Sequence, residues 1–510
     1  MTTLRLRPCS ACVLALFVTC FVALPSRATA ADPPALEAAY QVLYAGDPDA
    51  ARAAFERLVA ADAKGLPARF GLITAFRAQT DARRSLEREF ERQIDAFIAD
   101  ADARYDRSRR DDEALFYLAN AYLARAMYRY DHDKGVWGTA RDGARAKGLA
   151  ETYITRHPEH GDAYYMLGTY NYYVEIAPAF VKLLRPLLFL PAGDRAGGIT
   201  QLERAYTQGN LFAAQAGERL LEIYGSLEAR PMDGAKIGEQ LVQKYPENAG
   251  MHFELASLYL GPAFEDPGKA IAVYEKVMAA EARRAEPRAV LFQARLNMVG
   301  ALMQEWRLDE AIRTLSNTID AKPTSPPGVM PVFLLQRAVV QSMLDDPHAA
   351  DDAKVVLGEP RWKTHHAAAQ ALITRITTKR ASGESAIVAA LVPGNRLTAE
   401  RRWDDAMAAY EPVRRQYSAD PQVRYRIARL QFARGDVAAA ATAASALAAQ
   451  KTAPAAIRAE SLLILARIDD LAGHREAAKK TYNRIVDEFE HEETVWPARV
   501  GLVTPYRRPL

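Results

Sequence analysis

One spacing constrains this chain more than any other. A small residue is followed four positions later by an aromatic or aliphatic one, and three after that by a residue that is apolar in all but one instance. It reads Ala51-Phe55-Leu58, Ala146-Ala150-Tyr153, Ala270-Tyr274-Val277, Ala311-Leu315-Thr318, Ala406-Tyr410-Val413, Ala440-Ala444-Leu447 and Ala478-Tyr482-Ile485. A further small residue stands twelve earlier at Ala39, Ala428 and Ala466, and proline stands twelve later at Pro158 and Pro323. Elsewhere apolar residues recur at i, i+3, i+4 and i+7, the period of amphipathic helices, and alternating strand patterns are almost absent. Two antiparallel helices joined by a short turn approach closely only when each presents a small side chain at the crossing. The aromatic one turn later fills the groove toward the next pair, and the proline ends the unit.

This helix–turn–helix unit resembles the tetratricopeptide repeat. The resemblance implies an all-α fold, a right-handed superhelical solenoid in which stacked pairs bury a continuous core. The tryptophan that opens the family's unit is missing throughout, and inserts such as "GPAFEDP", Gly261 to Pro267, interrupt the register. Ala51, Ala270, Ala311, Ala406, Ala440 and Ala478 are the expected close crossings. "KPTSPPGVMP", 322–331, has four prolines in ten residues and cannot continue a helix. The pattern therefore predicts an N-terminal helical-repeat lobe over 31–321, a Pro-rich linker over 322–331 and a C-terminal helical-repeat lobe over 332–510.

"YYMLGTYNYYVEIAPAFVKLLRPLLFLPAGDR", Tyr164 to Arg195, breaks the repeat. Leu167 and Gly168 stand where a first helix wants a large apolar and a small residue, and this helix, apolar on more than one side, is expected to be enclosed. The insert after it, 176–192, is too short to span a bilayer and carries Lys182, Arg185 and internal prolines. Phe180, Leu183, Leu184, Leu187, Leu188 and Phe189 are expected to pack onto the tyrosine helix; peripheral membrane contact through 176–191 is the alternative. Asp194 is expected to cap the next helix, and Arg195 to hold carbonyls of the insert or an acid of a neighbouring helix. The segment "APAFVKLLRPLLFLPAGDRAGGITQLERAY", with Gly193-Asp194-Arg195, Gly198-Ile199 and Leu202, resembles part of the eukaryotic tetratricopeptide proteins linked to mitochondrial outer-membrane and lipid-inclusion clearance. It also looks like that of exported bacterial tetratricopeptide proteins. The resemblance implies a helical repeat protein near a membrane and no catalytic residue.

Residues 1–30 read as a signal peptide: Arg5 and Arg7, the apolar "ACVLALFVTCFVAL" over 11–24, then "ATA" over 28–30. Cleavage after Ala30 predicts an exported protein, periplasmic or associated with the outer membrane. Cys9, Cys12 and Cys20 all lie in this stretch, so the mature chain has no disulfide, thiolate nucleophile or cysteine metal site. The net charge of +3 is supplied by Arg5, Arg7 and Arg27, which leaves the mature chain near neutral and argues against nucleic acid as a partner.

The nine histidines are scattered; Pro158 splits "RHPEH" at 156–160, and His365 and His366 diverge on a helix. No zinc-protease spacing, nucleophile elbow or phosphate loop is present. The chain is expected to be no enzyme, with no catalytic residue, metal or cofactor. The expected function is a protein- or peptide-binding scaffold of the bacterial cell envelope, with Asn120, Asn171 and Tyr259 as candidate groove residues. A membrane-associated envelope-assembly or lipid-handling factor acting through the insert is the alternative.

Overall fold

The computed structural model describes residues 33–508 apart from 81–83, 178–181, 183–189, 262–263, 265, 283–288 and 322–327. The signal peptide with its cleavage after Ala30, most of the Pro-rich stretch, and Phe180, Leu183, Leu184, Leu187, Leu188 and Phe189 lie outside the described residues.

The chain forms an all-α solenoid of tetratricopeptide-like helix pairs, with no strand among the described residues. The first half runs α1 Pro33–Tyr44, α2 Pro48–Ala61, α3 Leu66–Thr80, α4 Glu87–Arg107, α5 Asp112–Asp131, α6 Val136–Arg156, α7 Ala163–Ile176 and α8 Arg195–Gln208. It continues with α9 Ala213–Glu222, α10 Pro231–Lys244, α11 Ala249–Leu260, α12 Pro267–Ala282, α13 Ala289–Gln304, α14 Leu308–Asp320 and α15 Val329–Met343. Then follow α16 Asp351–Gly358, α17 His366–Ala381, α18 Glu384–Ala399, α19 Trp403–Gln416, α20 Pro421–Arg434, α21 Val437–Ala449, α22 Ala455–Leu471, α23 Arg475–Glu488 and α24 Val495–Val503.

Local chemistry sets many of the starts. Asp47, Asp111, Asn248 and Asp420 each accept a backbone N–H from the first turn of the helix they precede; Pro48 and Pro421 open two of these helices, and Pro231 opens α10.

Every helix packs on its neighbours in sequence, but the next-nearest contacts are one-sided. α1, α3, α5, α7, α9, α11, α13 and α15 each touch the next member of that series, whereas the second helices of the pairs meet one another marginally at most. The first helices therefore form a tight inner layer and the second helices a splayed outer one, which makes the inner face concave. After α15 the register changes: α15 touches both α17 and α18, and the inner line resumes as α18, α20, α22 and α24. α16 and α17 are an added outer unit. Residues 345–397 are thus largely helical, and α18 runs through Pro393. Buried Leu391, Gly394 and Asn395 pack that helix, and Tyr410 lies directly on Gly394, so tertiary contact offsets the lost hydrogen bond.

Ala51, Ala270, Ala311, Ala406, Ala440 and Ala478 have no exposed surface, and the partner aromatics Phe55, Tyr274, Tyr410 and Tyr482 are equally enclosed. Three of those rings lie flush on a glycine of an inner-layer helix: Phe55 on Gly71, Tyr410 on Gly394 and Tyr482 on Gly501. Replacing Ala270 or Ala440 by leucine forces extra carbons into a close crossing and is expected to cost about 1–3 kcal/mol. Urea denaturation checks this, with exposed Glu476→Gln as the control; equal losses for the three variants would place these alanines away from a crossing.

Candidate functional site

On the inner face, α7, α9 and α11 lie side by side, and their facing side chains are ionisable or aromatic rather than apolar. α7 contributes Tyr165 and Tyr173, α9 contributes Glu218, Arg219 and Glu222, and α11 contributes Glu254. Arg219 Nη1 donates to Glu222 Oε2 at 2.5 Å and to the Tyr173 hydroxyl at 3.1 Å, with its guanidinium 5.3 Å from the Tyr173 ring centroid. Tyr173 also meets the exposed ring of Tyr130 edge-on at 6.3 Å, and Tyr165 packs on Phe212.

Glu218 and Glu254 have neither a hydrogen bond nor an ion pair among the described residues. Burial first, and then the charge of Glu254, push the Glu218 carboxyl up to about 7 against the pull of Arg219. Glu254 is likewise pushed up to about 7, by burial and then by Glu222. Its side chain is exposed to water, which screens both effects. The other charged groups on the packed neighbours α8 and α10 are engaged elsewhere. Arg195 pairs with Glu228, Glu203 with Tyr224, Arg204 with Tyr164, Asp233 with Arg230 and Lys236, Glu239 with Tyr259, and Lys244 with Tyr245. No group of three His, Cys, Asp or Glu among the described residues could hold a metal ion.

A second stranded charge lies further along the inner layer. Arg426 on α20 stacks 4.9 Å from the Trp306 ring centroid, and its buried Nε has no partner; burial and then neighbouring Arg429 lower its basicity.

The three residues expected from sequence to line the groove sit apart, on α5, α7 and α11, and all are buried. Asn120 donates to the Phe116 carbonyl of its own helix at 3.0 Å. The Asn171 side-chain amide donates to Gln201 at 2.9 Å, and its backbone carbonyl accepts the Asp194 N–H. Tyr259 donates to Glu239 Oε1 at 2.6 Å. Around the tyrosine helix, Gly168 is pressed on α8: a Cβ there would stand 2.8 Å from the Gly198 carbonyl oxygen. Asp194 Oδ1 accepts the Gly197 N–H at 2.9 Å, and Arg195 grips Glu228 through two bonds of 2.6 Å. The charged residues of the inner face escaped sequence reasoning because "ERLLE" on α9 looks like any solvated helix face. The available signal was that Glu218 and Arg219 fall on a first helix.

A separate feature marks one edge. Tyr130, Val136 and Trp137 at the α5–α6 turn, and Leu227 and Met232 at the α9–α10 turn, are exposed at 58, 42, 60, 41 and 47 %. Both turns join the two helices of a pair and so lie on the same edge of the solenoid.

Neither a scan against protein-family models nor a search of curated proteins finds a match. Among solved structures, the crystal structure of the P58(IPK) TPR domain is similar at 13 % identity, covering 78 % of this chain and 96 % of that one with a TM-score of 0.20. A superposition that loose adds nothing to the architecture described above.

Proposed function

We propose that the chain is a non-catalytic scaffold whose inner face binds an extended segment of a partner protein in the cell envelope. The observation that carries this reading is the row of part-open tyrosines and unpaired charges along α7, α9 and α11, on the one face where consecutive first helices form a continuous concave floor. Internal packing uses none of these groups fully, and a bound segment would. The presequence pattern supports the envelope location. A photo-crosslinking residue placed at Tyr173 should capture protein in envelope extracts, whereas one at Lys236 on α10 should not. Equal capture from both positions would reject the inner face as the binding surface.

The apolar edge favours a second reading, peripheral attachment to lipid. No helix among the described residues is long and apolar enough to cross a membrane. An exposed tryptophan beside Val136 and Tyr130 has the composition of an interfacial contact. Vesicles of phosphatidylethanolamine and phosphatidylglycerol should then co-sediment the protein, and Trp137→Ser should abolish this without lowering the melting temperature. Unchanged co-sedimentation of that variant would remove this edge from the reading.

A further inference from the structure

We propose that the inner layer at α20 and α22 holds a second binding site, for an extended partner segment that carries an aromatic residue and, two positions later, a cation. The chain's own residues 504–508 occupy that site and are displaced from it by the partner.

After α24 the chain turns back along the array. Arg475 Nη2 donates to the Leu502 carbonyl at 2.8 Å and fixes the exit. Residues 505–508, neither helix nor strand, then pass α22 and reach the end of α20, two first helices of the inner line.

Three contacts define the chemistry of the site. The Tyr506 backbone N–H donates to Asp470 Oδ2 at 2.8 Å. The Tyr506 ring meets Phe432 of α20 at 5.9 Å between centroids, and the Arg467 guanidinium of α22 stands 4.6 Å from the same ring. Arg508 lies 5.8 Å from the Phe432 ring centroid and against Gly435, the left-handed residue that ends α20. The bond to Asp470 uses a backbone group that any extended segment presents, except at proline. Selectivity therefore comes from the other two contacts, which take an aromatic ring beside a guanidinium and a cation over an aromatic face.

The site is built without the segment. The Asp470 side chain is fully enclosed and already accepts from Arg475 at 2.9 Å and from the Tyr482 hydroxyl at 2.9 Å, both on α23. Its charge is thus paired and its oxygens are aimed whether or not a backbone N–H arrives. Phe432 belongs to the core cluster of Ala440, Ala444, Leu447 and Ile464. Groups fixed in this way lose little freedom on binding. The resident segment, by contrast, is lightly held: Thr504, Pro505, Arg507 and Arg508 are exposed, and Tyr506 alone is half-buried. A strap kept for stability would bury more than one side chain.

Fluorescence anisotropy with a labelled, amidated peptide of residues 503–508, VTPYRR, tests this on the mature chain. In wild type the tethered segment competes at an effective concentration on the order of millimolar and masks the site. Tyr506→Ala in the chain opens it, so the peptide should bind that variant about tenfold or more tightly than wild type. The peptide carrying Tyr506→Ala or Arg508→Glu should lose this gain. Arg467→Met added to the opened chain should weaken the unaltered peptide about fivefold. Saturating peptide should also restore the melting temperature that Tyr506→Ala lowers. Arg508→Ala, at an exposed position, opens the same site and replaces Tyr506→Ala if that variant does not melt cooperatively.

Peptide binding to the opened chain no tighter than to wild type would overturn the proposal. So would a lowered melting temperature that saturating peptide leaves unchanged, because the segment would then be a fixed seal on the last pairs. Equal binding of the three peptides would overturn the stated chemistry. The site shares no helix with the floor over α7, α9 and α11, so the Tyr173 crosslink tests the scaffold reading separately.

Discussion

Asp162→Ala is expected to lower folding stability by about 4 kcal/mol, the largest single loss on the inner layer. Asp162 precedes α7 and is 3 % exposed. Its carboxylate accepts three consecutive backbone N–H groups from the α8–α9 connection: Asn210 at 2.8 Å, Leu211 at 3.0 Å and Phe212 at 2.9 Å. Those donors have no other partner within reach, and each one stranded away from water costs about 1–3 kcal/mol. The same connection is tied to α1 by the Tyr44 hydroxyl donating to the Leu211 carbonyl at 2.6 Å. Loss of Asp162 therefore loosens the join between the α7–α8 and α9–α10 pairs, together with its tie to α1, and displaces α9. Chemical denaturation measures the effect. A loss under about 1 kcal/mol would mean that water entering the 390 Å³ cleft lined by His160, Gly161 and Asn210 replaces the carboxylate.

Asp142→Ala is expected to cost about 3–5 kcal/mol for a different reason. Asp142 on α6 is 1 % exposed and sits between two arginines of α5. Arg125 grips it through bonds of 2.7 and 2.8 Å and also holds Asp95 at 2.6 Å; Arg129 donates to the same Asp142 carboxylate. Removing the acid leaves two cations of α5, one turn apart, crowded at a closed helix–helix contact with the charge that joined them gone. Replacing all three together, Asp142→Leu with Arg125→Met and Arg129→Met, is expected to recover most of the stability, because no buried charge is then left unpaired and Asp95, which loses Arg125, is exposed. Thermal denaturation of the single and triple variants decides between them. A triple variant as unstable as Asp142→Ala would show that the loss comes from packing rather than from uncompensated charge.

Much of the architecture was legible in the sequence because it rests on short-range rules. A small residue with an aromatic four positions later specifies a helix crossing wherever it occurs, and Ala51, Ala270 and Ala478 are all fully buried. Asp194 was readable as a cap, since a carboxylate before a helix meets N–H groups three residues on. For Arg195 the sequence left two partners open, and the fold brought in Glu228 from beyond the next inner helix. Helix α18 was illegible for the opposite reason: Pro393 is a local stop signal that burial against Tyr410 overrides. Asn120, Asn171 and Tyr259 lie on the anticipated first helices, but their side chains turn inward to Phe116, Gln201 and Glu239.

The candidate site belongs to a different scale. By itself the sequence determined the helices, their order, the small residues at their crossings and the enclosure of the tyrosine helix, because periodicity records which side of a helix meets its neighbour in the chain. It does not record which polar positions are crowded from a distance. Glu218 and Glu254, thirty-six residues apart, read as two ordinary solvated acids. Only the packing of the inner layer brings Glu218 under the influence of burial, Glu254 and Tyr165. Desolvation and repulsion sum over everything nearby in space, so the tertiary structure alone decided which charges would be left in want of a partner.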